Sequence, residues 1–233
     1  MKGTAKKQAT ESTFTGFAPD VFAFFRELEK RQDRDWFLAN RHRYDEGAHA
    51  QMSALIVELN ELLAKRRIPL GGDPKRAIFR IYRDVRFSHD KRPYNARISA
   101  ALSTGKHGGG HLYLHIADDE CFVGAGFHQP DAPVLTKLRE AIAAKPKAFL
   151  TVVAELRSHK LKLDDDADAL KRLPRGFEDA DESIAEFLRR KSFDVFRPLT
   201  KSDVQKPTLP SRIADFADEA LPLLKFGWKA LQT

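Results

Sequence analysis

The 233-residue chain has few of the features that define several large classes of protein. Its single cysteine, Cys121, excludes an internal disulfide framework and is typical of a reducing cytoplasm. No apolar run approaches the roughly 18 residues that a membrane helix needs, and the polar start MKGTAKKQATESTF lacks the hydrophobic segment of a secretory signal. We therefore expect a cytoplasmic protein with no membrane partner, made of a mobile N-terminal tail over residues 1–13 and one domain over residues 14–233.

Familiar nucleotide-binding, metal-binding and catalytic motifs are also absent. The Gly105-Lys106 pair has neither the first glycine nor the hydroxyl residue of a phosphate-binding P-loop. The acidic run from Asp164 lacks the turn glycine and the final glutamate of a calcium loop. On a strand, His111 and His115 would lie about 13 Å apart, which is too far for one ion without a third element. The sequence therefore predicts no metal site and no cofactor.

Positive charge is what the chain has in excess, and it is concentrated in one stretch. The net charge is +7, from 40 basic and 33 acidic residues. Residues 76–97 alone contain seven Lys or Arg and two Asp, a net charge of +5, which leaves about +2 for the rest of the chain. This distribution indicates a local basic site and not the uniformly basic face that binds nucleic acid along its length.

The order of hydrophobic patterns predicts an α+β fold. Helical spacing begins at Pro19, covers residues 40–65, and returns from Asp131 to the end of the chain, with a break expected near Pro222. Two-residue alternation lies between and beside these helices, and it predicts strands over 80–88, 98–103, 111–117, 120–127 and the segment FDVFRPL. Because the strands cluster in the middle, we expect a single domain with a central, mostly antiparallel sheet flanked by N-terminal and C-terminal helices.

A hairpin closed at Asp118-Asp119 would give the sheet two different faces. One face is apolar and makes Cys121 a buried filler without an activating partner. The other face carries aromatic and imidazole groups beside glycines, namely His111, Tyr113, His115, Phe122, Gly124 and Gly126. Such a surface could be the floor of a ligand site, or the glycines could serve the close packing of a helix.

Arg83 is the unusual charge within the basic stretch. In the strand predicted over 80–88 it shares a face with Ile81, Val85 and Phe87. A guanidinium does not lose its proton, so its burial requires a carboxylate, a set of carbonyl groups or an anionic ligand.

Two interpretations of this stretch remain open. The first is a site for phosphate or carboxylate, for which arginines, a lysine and hydroxyl groups are suitable donors. Its candidate residues are Arg80, Arg83, Arg86, Ser88, Asp90, Lys91 and Tyr94, joined by Tyr113, His115 and Arg139. The second is structural, with Asp84 and Asp90 paired to neighbouring arginines on a solvated edge strand.

The leading functional hypothesis is therefore the binding of a small anionic ligand. If the protein is an enzyme, Asp90 or His115 could move protons while the arginines hold the anion. The sequence shows no nucleophile–base pair, so it leaves the presence of any reaction and the catalytic residues undetermined. The alternatives are a nucleic-acid-binding module, with tyrosines as stacking groups, and a structural or interaction protein with internal arginine–carboxylate pairs. The oligomeric state is equally undetermined.

The stretch RIYRDVRFSHDKRPYNARISA resembles the signature of a bacterial and fungal family, domain of unknown function 2461. The early segment FFRELEKRQDRDWFLANRHRYDE, the strand end GAGFHQP and the helix LTKLREAI with Arg139 are similar to that family too. The similarity covers nearly all of residues 14–231, and it departs at KRQDRD, where the family has an Asn-rich turn. It implies a single α+β domain and no particular activity.

Overall fold

A computed structural model describes residues 13–86, 88–105 and 109–232 of the chain. All but one residue of the predicted N-terminal tail lies outside these ranges, and so does Phe87. The N-terminal helices are α1 (Pro19–Lys30), α2 (Arg34–His42), a π-helical segment (Arg43–His49), α3 (Ala50–Lys65) and the short α4 (Pro74–Ala77). Strands β1 (Arg97–Ser103), β2 (His111–Ala117) and β3 (Cys121–Phe127) follow. The remaining elements are α5 (Ala132–Ala144), α6 (Pro146–Ser158), α7 (Glu182–Arg189), β4 (Phe193–Pro198), α8 (Lys201–Val204) and α9 (Leu209–Leu231).

Local sequence signals account for where several helices begin. Pro19 occupies the first turn of α1, where its missing N–H group is not needed. The Asp33 carboxylate accepts a hydrogen bond of 2.7 Å from the Trp36 N–H at the start of α2, and Asp131 accepts one of 3.0 Å from the Val134 N–H at the start of α5. The helix starts predicted at Pro19 and Asp131 are confirmed.

The four strands form one antiparallel sheet in the order β1-β2-β3-β4. The β2–β3 register pairs Tyr113 with Gly124 and His115 with Phe122, and the Ala117 N–H donates to the Glu120 carbonyl at 3.0 Å. The predicted hairpin and its division into two faces are thus confirmed. The α+β class and the antiparallel sheet predicted from the pattern are confirmed as well.

Helices cover one face of this sheet and form the core with it. Leu112, Leu114 and Ile116 belong to the same buried cluster as residues of α1, α3, α6 and α9. Cys121 is buried in this layer and donates to the Ala117 carbonyl, and burial raises the pKa of its thiol. The predicted role of Cys121 as an apolar filler therefore agrees with its environment.

Helix α9 does not break near Pro222, so that prediction is wrong. The helix runs unbroken from Leu209 to Leu231 with Pro222 inside it. A proline in a helix interior removes a hydrogen bond and crowds the preceding turn. Leu223, Leu224 and Ala220 are at most 2% exposed, and α9 packs on α3, α5, α6 and β3. The burial of the surrounding turn offsets the loss at Pro222.

The strand predicted over 80–88 is also wrong. Tyr82 makes only an isolated bridge to Tyr94, although Ile81 is buried and Tyr82 exposed as the alternation predicted. Beyond Tyr82 the carboxylates of Asp84 and Asp90 accept from the backbone N–H groups two residues later, at 3.2 and 3.0 Å. Such local side-chain acceptors compete with a strand ladder for the backbone donors, and residues 83–86 and 88–92 have bends and irregular backbone instead of a strand.

Candidate functional site

The sheet face turned away from the core is only partly covered, and we call it the open face. Its partly buried side chains include Ser103, His111, Tyr113, His115, Phe122 and Phe196. Residues 78–80 follow its β1 edge, because Ile78 bridges Ala100 and the Phe79 N–H donates to the Ser99 carbonyl at 2.9 Å. These two contacts place the start of the basic stretch beside the open face.

Gly124 and Gly126 allow the neighbouring strand β4 to lie close against β3. A Cβ atom on Gly124 would lie 2.5 Å from the Phe196 ring, and one on Gly126 would lie 2.0 Å from the Phe193 carbonyl oxygen. The close packing considered for these glycines is therefore present, but the neighbour is a strand and its side chains instead of a helix.

A depression of about 360 Å³ lies where the basic stretch meets the open face, and we call it the basic depression. Its lining residues are Phe79, Arg80, Tyr82, Arg83, Asp84, Asn95, Arg97, Ser99 and Tyr113. Within the described parts of the chain, Arg80 and Arg97 make no ion pair. Phe79 and Tyr82 are 52% and 49% exposed, which is unusual for aromatic side chains.

Three other arginines of the basic stretch, Arg83, Arg86 and Arg92, are paired internally. Arg83 Nη1 lies 2.6 Å from Asp90 Oδ2, and Arg86 Nη2 lies 2.7 Å from Asp84 Oδ2. Arg92 also binds Asp90, at 2.7 Å, and contacts Glu29. Hydrogen bonds from Arg92 and Arg83 hold the pKa of the Asp90 carboxyl well below its usual range. Asp90 therefore stays ionised at neutral pH and anchors the turn.

The predicted site residues lie in several separate places in the structure. Arg80, Arg83 and Tyr113 line the basic depression, and His115 is beside it on the open face. Lys91 donates to the Val85 carbonyl at 3.0 Å, and Tyr94 is buried with its ring stacked 4.4 Å from that of Phe37. The remaining candidates, Arg86, Ser88, Asp90 and Arg139, do not line the depression.

Arg139 has a separate position in helix α5. It is 9% exposed, its Nη2 donates to the Arg190 carbonyl at 2.8 Å, and burial lowers the pKa of its guanidinium. This bond fixes the segment that leads from α7 into β4. Arg139 thus holds the backbone that leads into β4. Sequence spacing alone could not distinguish this structural role from contact with a ligand.

His115 is held among aromatic neighbours. Its ring stacks on Phe122 with centroids 4.6 Å apart, and its Nδ1 lies 3.4 Å from the Tyr113 hydroxyl. Burial and the nearby charge of Arg97 lower the pKa of His115 to about 4. The imidazole is therefore neutral at physiological pH and can hydrogen-bond without adding charge.

The structure adds a pair that the sequence did not reveal, His128 and Asp194. His128 Nδ1 lies 2.9 Å from Asp194 Oδ2. Asp194 is 4% exposed, and burial raises its pKa to about 6 although His128 acts in the opposite direction. The residues are 66 positions apart, and only the pairing of Gly126 with Asp194 brings them together. The available signal was a lone Asp within the predicted strand FDVFRPL.

A second depression, of about 300 Å³, lies beside this pair and shares Phe79 with the basic depression. His128, His111 and Ser103 are among its lining residues. Gln129, which follows His128 in the chain, has a φ of 40°, and its N–H donates to the Ser192 hydroxyl at 2.9 Å. A non-glycine residue in this region is strained, and such strain is often found at functional sites.

No three His, Cys, Asp or Glu side chains among the described residues are grouped so that they could hold a metal ion. In the same residues, no helix has both the length and the apolar composition that crossing a bilayer requires.

These features define an α+β protein whose antiparallel sheet has one helix-covered face and one open face with polar and aromatic groups. The model of a family described as a conserved hypothetical protein, DUF2461, matches residues 20–226, and the chain belongs to that family. The resemblance seen in the sequence is confirmed by this match. Searches among curated proteins and among solved structures found no match to the chain.

Proposed function

We propose that the protein binds a small ligand bearing a phosphate or carboxylate group in the basic depression. The observation that supports this most is the pair of arginines, Arg80 and Arg97, that lack ion pairs in the described structure and line one 360 Å³ depression. Arginine donates in a planar fork that matches such oxygens. The sequence pointed to Arg80, and only the fold adds Arg97.

The rest of the lining favours an anion attached to a planar group. Phe79 and Tyr82 expose aromatic surface on which a planar group can stack. Asn95, Ser99 and Tyr113 supply neutral hydrogen-bonding groups around the arginines. Arg83 is held in place by its ion pair with Asp90, and its fixed positive charge can attract the anion.

Replacing Arg97 with glutamine tests this site. We expect affinity for the best anion to fall by roughly 10- to 100-fold, because a hydrogen bond to a charged group contributes about 1.5–3 kcal/mol. Thermal-shift screening with inorganic phosphate, nucleotides, sugar phosphates and carboxylates would find the anion, and titration calorimetry would compare the variants. Arg157→Gln is the matched control, because Arg157 is exposed on α6. The proposal is wrong if no anion stabilises the protein, or if Arg97→Gln binds as tightly as the control.

Nucleic-acid binding is the alternative use of the same surface, because aromatic groups beside arginines also suit single-stranded bases. It predicts retention of an oligonucleotide that weakens steeply with salt. Gel-shift experiments at low salt distinguish the two uses, since a small-ligand site predicts no retention. The structural alternative predicts instead that Arg83→Ala unfolds the protein and that no ligand restores it.

We further propose that His128 would exchange protons with a ligand that extends past Phe79, from the basic depression into the depression that His128 lines. Asp90 stays ionised and His115 stays neutral near pH 7, whereas Asp194 has a pKa raised to about 6 by burial. A carboxylate that accepts from Nδ1–H leaves Nε2 as the basic atom of the imidazole. His128 is 58% exposed by its side chain, so Nε2 can meet a ligand or water.

Carbethoxylation by diethyl pyrocarbonate measures how nucleophilic and how accessible the His128 imidazole is. We expect His128 to react several-fold faster than the exposed His159, and Asp194→Asn to remove most of that difference, because the carboxylate stabilises the positive charge that develops on the ring. Mass spectrometry of the modified peptides gives both rates from one sample. Equal rates for the two histidines, unaffected by Asp194→Asn, would show that the pair is only a structural contact.

A further inference from the structure

A separate cleft lies in the helical layer between α5, α6 and α9, and we call it the helical cleft. Its volume is about 650 Å³, larger than that of either depression on the open face. Ala141, Ala144 and Ala148 face Phe226 and Ala230 across it. Short alanine side chains leave the space between these helices unfilled, so the cleft has an apolar floor.

The rim of the helical cleft is strongly basic. Lys137, Lys145, Lys225 and Lys229 line it with a single acid, Glu140, which gives a net charge of +3. None of these lysines forms an ion pair within the part of the chain that the structure describes. Lys225 and Lys229 are four residues apart on α9, where like charges repel each other. An anion at this rim would relieve that repulsion.

We propose that the helical cleft binds an anionic amphiphile, meaning an organic carboxylate or sulfonate with an apolar body. Its volume is within the range of about 300–1,000 Å³ that small-molecule sites occupy. The apolar body would bury itself against the alanine floor, and the acid group would lie among the lysine ammonium groups. The charge complementarity of a basic rim over an apolar floor selects this occupant over a neutral lipid or a basic peptide.

This site is independent of the anion site proposed above. The helical cleft shares no lining residue with the basic depression or with the depression beside His128. Its helices pack on the core side of the sheet, where α9 contacts β3. If Arg97→Gln does not affect anion binding, the proposal for the basic depression fails and the proposal for the helical cleft still stands. A negative result at the helical cleft likewise leaves the proposal for the basic depression standing.

Displacement of 8-anilinonaphthalene-1-sulfonate by decanoate tests the proposal on the full chain. We expect saturable binding of both anions, and a decrease in decanoate affinity of roughly tenfold in the double variant Lys225→Glu/Lys229→Glu, since each exposed charge contact contributes a few-fold. The matched control is Lys162→Glu/Lys171→Glu, which changes the net charge equally at exposed lysines outside the cleft. A second variant, Ala148→Trp, should block the cleft sterically from an exposed position of α6.

Three outcomes would overturn the proposal. Equal weakening in the two double variants would show a general charge effect and no site. Binding of decanol as tight as that of decanoate would show that the lysines select nothing. Capture of an acidic helical peptide, with no displacement by decanoate, would identify a protein partner instead of a small amphiphile.

Discussion

Replacing Gly126 with alanine is expected to destabilise the fold by roughly 3 kcal/mol or more. Gly126 has a φ of 145°, a conformation that side chains disfavour. Its added Cβ would lie 2.0 Å from the Phe193 carbonyl oxygen and 2.8 Å from the Asp194 Cα. Both neighbours belong to the backbone of β4, so neither can move aside by a rotamer change, and the pairing of β3 with β4 must shift.

Urea unfolding followed by circular dichroism measures this effect. Gly47→Ala is the matched control, because its Cβ would meet only a Val21 methyl group at 3.8 Å and Gly47 lies in a helical segment. Alanine is favoured there by up to about 1 kcal/mol, so the control should be neutral or stabilising. A Gly126→Ala variant as stable as the wild type would mean that β4 is not held against β3 as described.

The second large effect is the response of Asp194→Asn to pH. Burial raises the pKa of Asp194 to about 6, above its ordinary value of 3.8, so folding takes up a proton between these values. The stability that this proton contributes is complete below about pH 3.8 and is lost as the pH rises through about 6. Above that pH, the wild type carries a buried carboxylate whose main partner is one histidine.

Asparagine has the shape of the neutral acid and cannot ionise. The variant should therefore be more stable than the wild type by roughly 2–3 kcal/mol at pH 8, and the difference should disappear near pH 4. Urea unfolding across this pH range gives the result. Asp179→Asn, at an exposed position, is the control and should show no comparable change. If Asp194→Asn is instead less stable at pH 8, the contact with His128 stabilises the carboxylate by more than its burial costs.

Gly126→Ala and Asp194→Asn are expected to change stability in opposite directions, although the two residues are neighbours. Gly126 and Asp194 face each other across the β3–β4 ladder, and the Gly126 Cβ would also come within 2.8 Å of Asp194 Oδ1. The glycine therefore makes room for the carboxylate that orients His128. A stability gain in Asp194→Asn accompanied by the loss of fast His128 carbethoxylation would indicate that the acid is retained for its chemistry and not for stability.

The candidate site was predictable only in part. Arg80, Arg83 and Tyr113 were predicted from charge and alternation, and the fold places all three around one depression. Tyr94 was grouped with them because it is close in sequence, but its ring packs in the core against Phe37. Arg97 ends the same basic stretch, yet its place in the depression depends on Phe79 being bonded to β1.

The sequence by itself determined the α+β class, the β2–β3 hairpin with its two faces and the helix starts at Pro19 and Asp131. These features depend on neighbours in the chain, since alternation, helical spacing and capping residues act over a few positions. Tertiary structure alone decided that Arg83 meets Asp90, that His128 meets Asp194, that α9 continues through Pro222, and that alanines on two helices face α9 across a basic cleft. Even the Arg83 partner, seven residues away, depends on the turn that the chain adopts instead of a strand. An ion pair depends on the distance between two groups in three dimensions. A sequence pattern does not give that distance, because packing alone decides which segments come together.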